Sequence, residues 1–274
     1  MTVSPNDVRR TTLAMLYGAR ASHLGPSMSA IDILCSIYSL VDLPRIRAGA
    51  PDRDRVFLSK GHAAAGLYAT LWHFGLLDTD PREHYCREGS ALAGHASHAV
   101  QSVEHSTGAL GHGLPVAVGC AFGLRSRGFD TSRVYVVAGD GELQEGSNWE
   151  ALMFARHHNL SNLTLIVDAN GISSIRPTRE VIDLEPMARV FAGLGFAVEE
   201  AKGDSASLHA GLQKLHALAQ PAVLIARTTK GQGIPFAENQ PIWHYRSLDE
   251  KLFTEALAAL DRNVKETVSE EVKP

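Results

Sequence analysis

Asp140 and Asn170 are the residues best placed by type and spacing to do chemistry. Each stands just beyond a short apolar run, Val134–Ala138 before the first and Leu163–Val167 before the second. Both runs have the length and β-branched content of buried strands. Glu142 to Asn159, between them, has helical spacing, so the stretch predicts strand–turn–helix–strand. A right-handed crossover lays two such strands parallel and close, with Asp140 and Asn170 side by side above the sheet. A carboxylate and an amide offer only oxygen, which suits Mg²⁺ or Ca²⁺ rather than Zn²⁺. Mg²⁺ held by so few protein ligands takes the rest from water and phosphate groups. Gly139 and Gly141 flank the aspartate; Gly141 lets the backbone approach a phosphate, and the helix that follows aims its N-terminus at the same place. The unit reads as a metal–diphosphate clamp. An α/β turn with an Asp cap and an Asn–Gly turn is the other reading of the same spacing.

The elements that position this pair recur along the chain. Arg55–Leu58 predicts a strand ending in Ser59-Lys60-Gly61-His62, so His62 occupies the same kind of strand-end position as Asp140. Gly195–Glu199 and Ala222–Ala226 predict further strands. Thr228–Gly233 follows the last one at the ligand end; it has no GxxxxGK[ST] frame and is not a P-loop. Helices are predicted from Ser4-Pro5 to Ala21, over Ala30–Val41, through Leu67 to Trp72, and over Pro115–Arg127, Leu184–Ala192 and Ser205–Leu218. Ser22–Pro26, carrying His23, reads as a turn. The alternation predicts an α/β fold, a doubly wound, mostly parallel sheet with helices on both faces. Residues 78–113 have little periodicity and hold His95, His98, His105 and His112. So long a loop in a compact domain is usually functional. Zinc is not indicated, because no HxxxH-type pair lies on a helix with an acidic partner.

A chain of 274 residues suits one such domain, expected over 1–263, with a charged, frayed tail over 264–274. The formal charge of −4 argues against nucleic acid or an anionic membrane as partner. Neither a basic-then-apolar leader nor a long apolar span is present, so a cytoplasmic location is expected. Cys35, Cys86 and Cys120 are far apart with no CxxC; they are expected to be small buried residues.

GDGELQEGSNWEA followed by DANGIS resembles the thiamine diphosphate motif of transketolases. The similarity continues through ASHLGPSM, FLSKGHAAAGLYATL, STGALGHG and TTKGQGIPF…WH, from about His23 to His244, and is greatest to the N-terminal subunit of split transketolases. The resemblance implies thiamine diphosphate as cofactor, with Mg²⁺ (or Ca²⁺) on Asp140, Asn170 and the backbone carbonyl of Ile172. It implies His62, Gly108, Ala109, Leu110, Gly139, Gly141, Glu145, Asn170 and His244 around the cofactor. It gives His23, His95 and His244 contacts to substrate hydroxyls and proton transfer. The implied reaction moves a two-carbon ketol unit from a ketose donor to an aldose acceptor. The family's cofactor-activating glutamate comes from a second domain that this chain is too short to contain. A separate C-terminal, pyrimidine-binding subunit in an α₂β₂ complex is therefore expected, with sugar or sugar-phosphate substrates. Leu24 replaces a family Pro, GHASH a GHPE-like segment, His112 a Gln, and Tyr245-Arg246-Ser247 the usual Gly-Lys-Ala. These departures keep open a pathway-specific acyloin or deoxyketose synthase subunit; a non-catalytic regulatory module is the third reading.

Overall fold

The computed structural model describes residues 3–271, with side chains described as far as Arg262. Four apolar runs and a more polar edge segment form five parallel strands: β1 (Arg55–Leu58), β2 (Val134–Gly139), β3 (Leu163–Asp168), β4 (Ala197–Lys202, the polar edge) and β5 (Ala222–Arg227). Their order is β1-β2-β3-β5-β4. Ten helices accompany them among the described residues: α1 (Pro5–Gly18), α2 (Leu24–Tyr38), α3 (Leu43–Arg47), α4 (Ala64–His73), α5 (Pro81–His84), α6 (Gly113–Ser126), α7 (Gly146–His157), α8 (Met187–Gly193), α9 (Ser205–His216) and α10 (Glu250–Glu271).

Successive strand residues face opposite sides, and the core divides accordingly. Leu58, Val137, Ile166 and Leu224 pack with α1, α2, α4 and α9 on one side. Phe57, Val136, Leu165 and Val223 pack with α6, α7 and α8 on the other. The strand order explains the division. Connections β1→β2→β3 advance across the sheet, whereas β4→β5 steps back. Right-handed crossovers in opposite directions place their helices on opposite faces, which puts α9 across the sheet from α6 and α7. The doubly wound parallel architecture is thus realised as expected.

Local differences have local causes. Leu24-Gly25-Pro26 is not a turn but the first turn of α2, where a proline's missing N–H has no partner to lose. The reversal is confined to His23, at φ 72° and ψ 27°. The helix expected from Glu142 begins only at Gly146, after a short 3-10 segment, Glu142–Gln144, because the Glu142 carboxylate turns inward. Ser4 precedes α1 without a side-chain cap. Cys35 is buried as expected, but Cys120 is only partly covered and Cys86 is exposed. Helix α10 continues across position 263, and residues 272–274 lie outside those described. None of the described helices is long and apolar enough to cross a membrane.

Candidate active site

All five strands run the same way, so the segments after β1, β2, β3 and β5 share one rim. Register pairs Gly139 with Asp168, which leaves Asp140 and Asn170 on adjacent strand ends. Asp140 is buried; its Oδ1 accepts from the Gly141 N–H at 2.8 Å and its Oδ2 from the Gly171 N–H at 2.6 Å. Burial, then the neighbouring Asp168 charge, pushes its carboxyl up to about 6 against these two N–H groups and Lys60. Asn170 Oδ1 accepts from the Ile172 N–H at 3.1 Å. Asp140, Asn170 and Ile172 line one cleft together.

Beneath this pair lies a buried ion pair between Lys60, from the β1 end, and Asp168, the last residue of β3. Lys60 also donates to the Pro26 carbonyl at 3.2 Å, and Asp168 accepts from Ser29 at 2.7 Å and from Thr228. Burial alone would raise the Asp168 carboxyl; the Lys60 ammonium and the hydroxyl donors overcome it and hold it below the usual range. Glu142 makes a second tie. Its carboxylate accepts from Ser59 Oγ at 2.6 Å, Gly111 N at 3.0 Å and Gly139 N at 3.2 Å. Three segments of the rim are thereby pinned by one buried side chain.

Four imidazoles converge at the rim. The His23 ring lies 5.7 Å from His62, 5.6 Å from His95 and 5.2 Å from His244, and His62 lies 5.1 Å from His244. The backbone fixes them: His23 N donates to His244 O at 3.1 Å, and Ala96 N to Gly61 O at 3.3 Å. Tyr68, on α4, donates to the His95 carbonyl at 3.2 Å and accepts from the Ser97 N–H. Gly61 is required where Thr107 crosses it, since a Cβ there would meet Thr107 Oγ1 at 1.7 Å. Burial first, then neighbouring imidazole and lysine charges, lowers His23 to about 4 and His244 to about 3, and carries His62 well below its ordinary value.

His62, Leu110, Gly141, Glu145, Asn170, Ile172 and His244 line a cleft of about 450 Å³. His23 and His95 join it through the imidazole cluster. Gly108 and Ala109 sit on the exposed segment leading to Leu110, and Gly139 meets the Glu142 carboxylate instead of the cleft. Sequence reasoning did not single out four groups: Lys60, Asp168, Glu142 and Lys230. Lys60 and Lys230 stood in segments read as ligand ends, and lysines there were the available signal. The inward turns of Asp168 and Glu142 left none.

Among the described residues no group of three His, Cys, Asp or Glu side chains makes a metal cage. The donor set still fits a divalent ion shared with a phosphate. Asp140 is buried without a lysine or arginine on it, since Lys60 is committed to Asp168. An oxygen cation completed by phosphate would compensate it.

The sheet order and a strand-end cleft with acidic and imidazole walls define an α/β cofactor-binding domain. The model of the transketolase thiamine diphosphate-binding domain matches residues 4–272, and the chain belongs to that family. It is 40% identical to an apulose-4-phosphate transketolase subunit of Actinobacillus succinogenes, over 87% of this chain and 88% of that protein. It is 31% identical to a 6-deoxy-6-sulfo-D-fructose transketolase subunit of Clostridium sp., over 94% of each. The crystal structure of transketolase from Campylobacter jejuni superposes with a TM-score of 0.81 at 27% identity, over 95% of this chain. This chain spans only 43% of that enzyme's length.

Proposed function

We propose that this chain is the diphosphate-binding subunit of a cytoplasmic transketolase-type enzyme. With a separate C-terminal pyrimidine-binding subunit, in an α₂β₂ complex, it transfers a two-carbon ketol unit from a ketose to an aldose. The observation that carries the reading is the convergence of the Asp140–Asn170 pair and four imidazoles on one rim. Asp140, Asn170 and the Ile172 carbonyl, one of whose two lone pairs accepts from Lys230 at 3.1 Å, would hold Mg²⁺ or Ca²⁺. His62, Gly139, Gly141, Glu145, Asn170, His244 and the Gly108–Leu110 segment would surround thiamine diphosphate, which supplies the nucleophilic carbon for ketol transfer. His23, His95 and His244 would bind substrate hydroxyls and move protons there. His23 and His244 are neutral at pH 7, so each can offer one donor and one acceptor nitrogen.

Two features support a partner. Both of the curated relatives described above are named as subunits, and the chain covers most of each. Val116 and Phe122 on α6 and Met153 and Phe154 on α7 are exposed, with Phe122 and Phe154 stacked edge to face at 5.5 Å. Exposed apolar patches of this kind mark interfaces. The phosphorylated and sulfonated sugars in the relatives' names favour an anionic ketose donor over an acyloin-type substrate. The test is kinetic. The purified chain with saturating thiamine diphosphate and Mg²⁺ should show no ketol transfer, and activity should rise on titrating in the C-terminal subunit. Full turnover by the chain alone, or no turnover by the mixture over a panel of ketose phosphates and sulfonates, would overturn the reading.

A further inference from the structure

Lys230 is a buried cation that the proposed chemistry leaves without a task. It follows β5 in the Thr228–Gly233 segment and is only 2% exposed. Its Nζ donates to two carbonyls of the segment after Asn170, Ile172 O at 3.1 Å and Ser173 O at 2.6 Å. Its third neighbour is His244 Nδ1, at 3.3 Å. The segment that carries it is itself fixed. Gly231 N donates to Gly25 O at 3.0 Å, and Gln232 reaches Asp32 and the Gly203 carbonyl. Gly231 at φ +82° packs against the Ala237 backbone, so no side chain could replace its hydrogen.

We propose that Lys230 is a positioning residue that holds His244 in the tautomer protonated at Nε2 and ties it to the loop carrying Asn170 and Ile172. An ammonium has three donors and no acceptor, and here three acceptors surround it. Its contact with His244 is a hydrogen bond only if Nδ1 carries a lone pair. The proton of the neutral ring is then on Nε2, and His244 presents a donor there to any ligand in the cleft. The backbone reinforces this placement, because Trp243 is buried with its Nε1 on Phe236 O at 3.0 Å, and His23 N holds His244 O. Burial and the Lys230 charge lower His244 to about 3, which keeps the ring neutral. Lys230 thus links the proposed metal loop to a proposed proton donor through one side chain.

The role given to the Nε2 proton rests on the ketol-transfer reading, whereas the tautomer is measured without cofactor or partner. The full chain, labelled with ¹⁵N-histidine, is observed by NMR at pH 7, with His244→Asn to assign the resonance. The expected result is an unprotonated, hydrogen-bonded Nδ1 and a protonated Nε2. In Lys230→Met, His244 should lose that preference and populate both tautomers, with Lys230→Arg restoring it in part. In the complex with its partner, Lys230→Met should lower kcat by about 10- to 100-fold, the worth of a hydrogen bond to a charged group, more than it changes KM. A wild-type His244 protonated at Nδ1 overturns the proposal even if Lys230→Met does not fold. A folded Lys230→Met with the wild-type tautomer overturns it equally. The expected tautomer in a complex with no ketol transfer would instead remove the functional reading and leave the placement by Lys230 standing.

Discussion

Replacing Lys60 by Met would expose what the buried pair beneath the site contributes. Lys60 and Asp168 have side chains 1% and 0% exposed, so solvent cannot take over when one partner is lost. Removing one member of such a pair leaves a buried charge and costs about 3–5 kcal/mol. At roughly 2–4 °C per kcal/mol for a chain of this size, Tm should fall by about 6–20 °C. Asp168→Asn removes the charge and keeps one acceptor oxygen for one of the Ser29 and Thr228 hydroxyls, the other of which can accept from the amide NH2. The double variant should therefore be more stable than Lys60→Met alone, with a coupling of about 1–3 kcal/mol in the cycle. The pH dependence should also change sign. In the native chain Asp168 sits below its unfolded pKa, so its contribution is present above about pH 4 and is lost as pH falls through the folded value. In Lys60→Met burial dominates and the folded pKa lies above the unfolded one. Its contribution is then present below about pH 4 and lost as pH rises through the raised value. The assay is urea and thermal unfolding of all four proteins between pH 4 and 8. A Lys60→Met chain within about 0.5 kcal/mol of the parent, the range of ordinary surface substitutions, would refute the reasoning.

Asp140→Ala should abolish metal-dependent binding of thiamine diphosphate, and calorimetry with and without Mg²⁺ that gave unchanged affinity would count against the clamp. Because Asp140 titrates near 6 in the free chain and must be ionised to hold a metal, Mg²⁺ affinity should fall by about tenfold per pH unit below that value and level off above it. Gly61→Ala should unfold the crossing at Thr107 or lower Tm sharply, with Thr107→Gly in the same chain recovering part of the loss; an Ala variant as stable as the parent would show that the crossing is loose. In the complex, His23→Ala should lower kcat by about 10²–10⁴-fold if its imidazole moves protons, whereas a change confined to KM would make it a binding group.

The sequence by itself determined the strands and the strand-end positions of Asp140, Asn170 and His62, but not the strand order. Four of the strands were legible because buried parallel strands are apolar runs, the edge strand β4 (AVEEAK) only from the α/β alternation, and the rim was legible because parallel strands all end on one side. Asp140, Asn170 and His62 followed from standing just past those runs. The tertiary structure decided what lies between the segments. His23, His62, His95 and His244 are separated along the chain by dozens of residues, and only packing of α2, α4 and the long loop brings their rings within 6 Å. Lys60 with Asp168, Glu142 with three rim donors, and Lys230 with His244 were illegible for the same reason. A charged residue beside a glycine reads as a solvated turn in sequence, and only burial forces it to find a partner from another segment. Chain periodicity records how each element meets the core; it holds no record of which polar side chains the closed fold removes from water together.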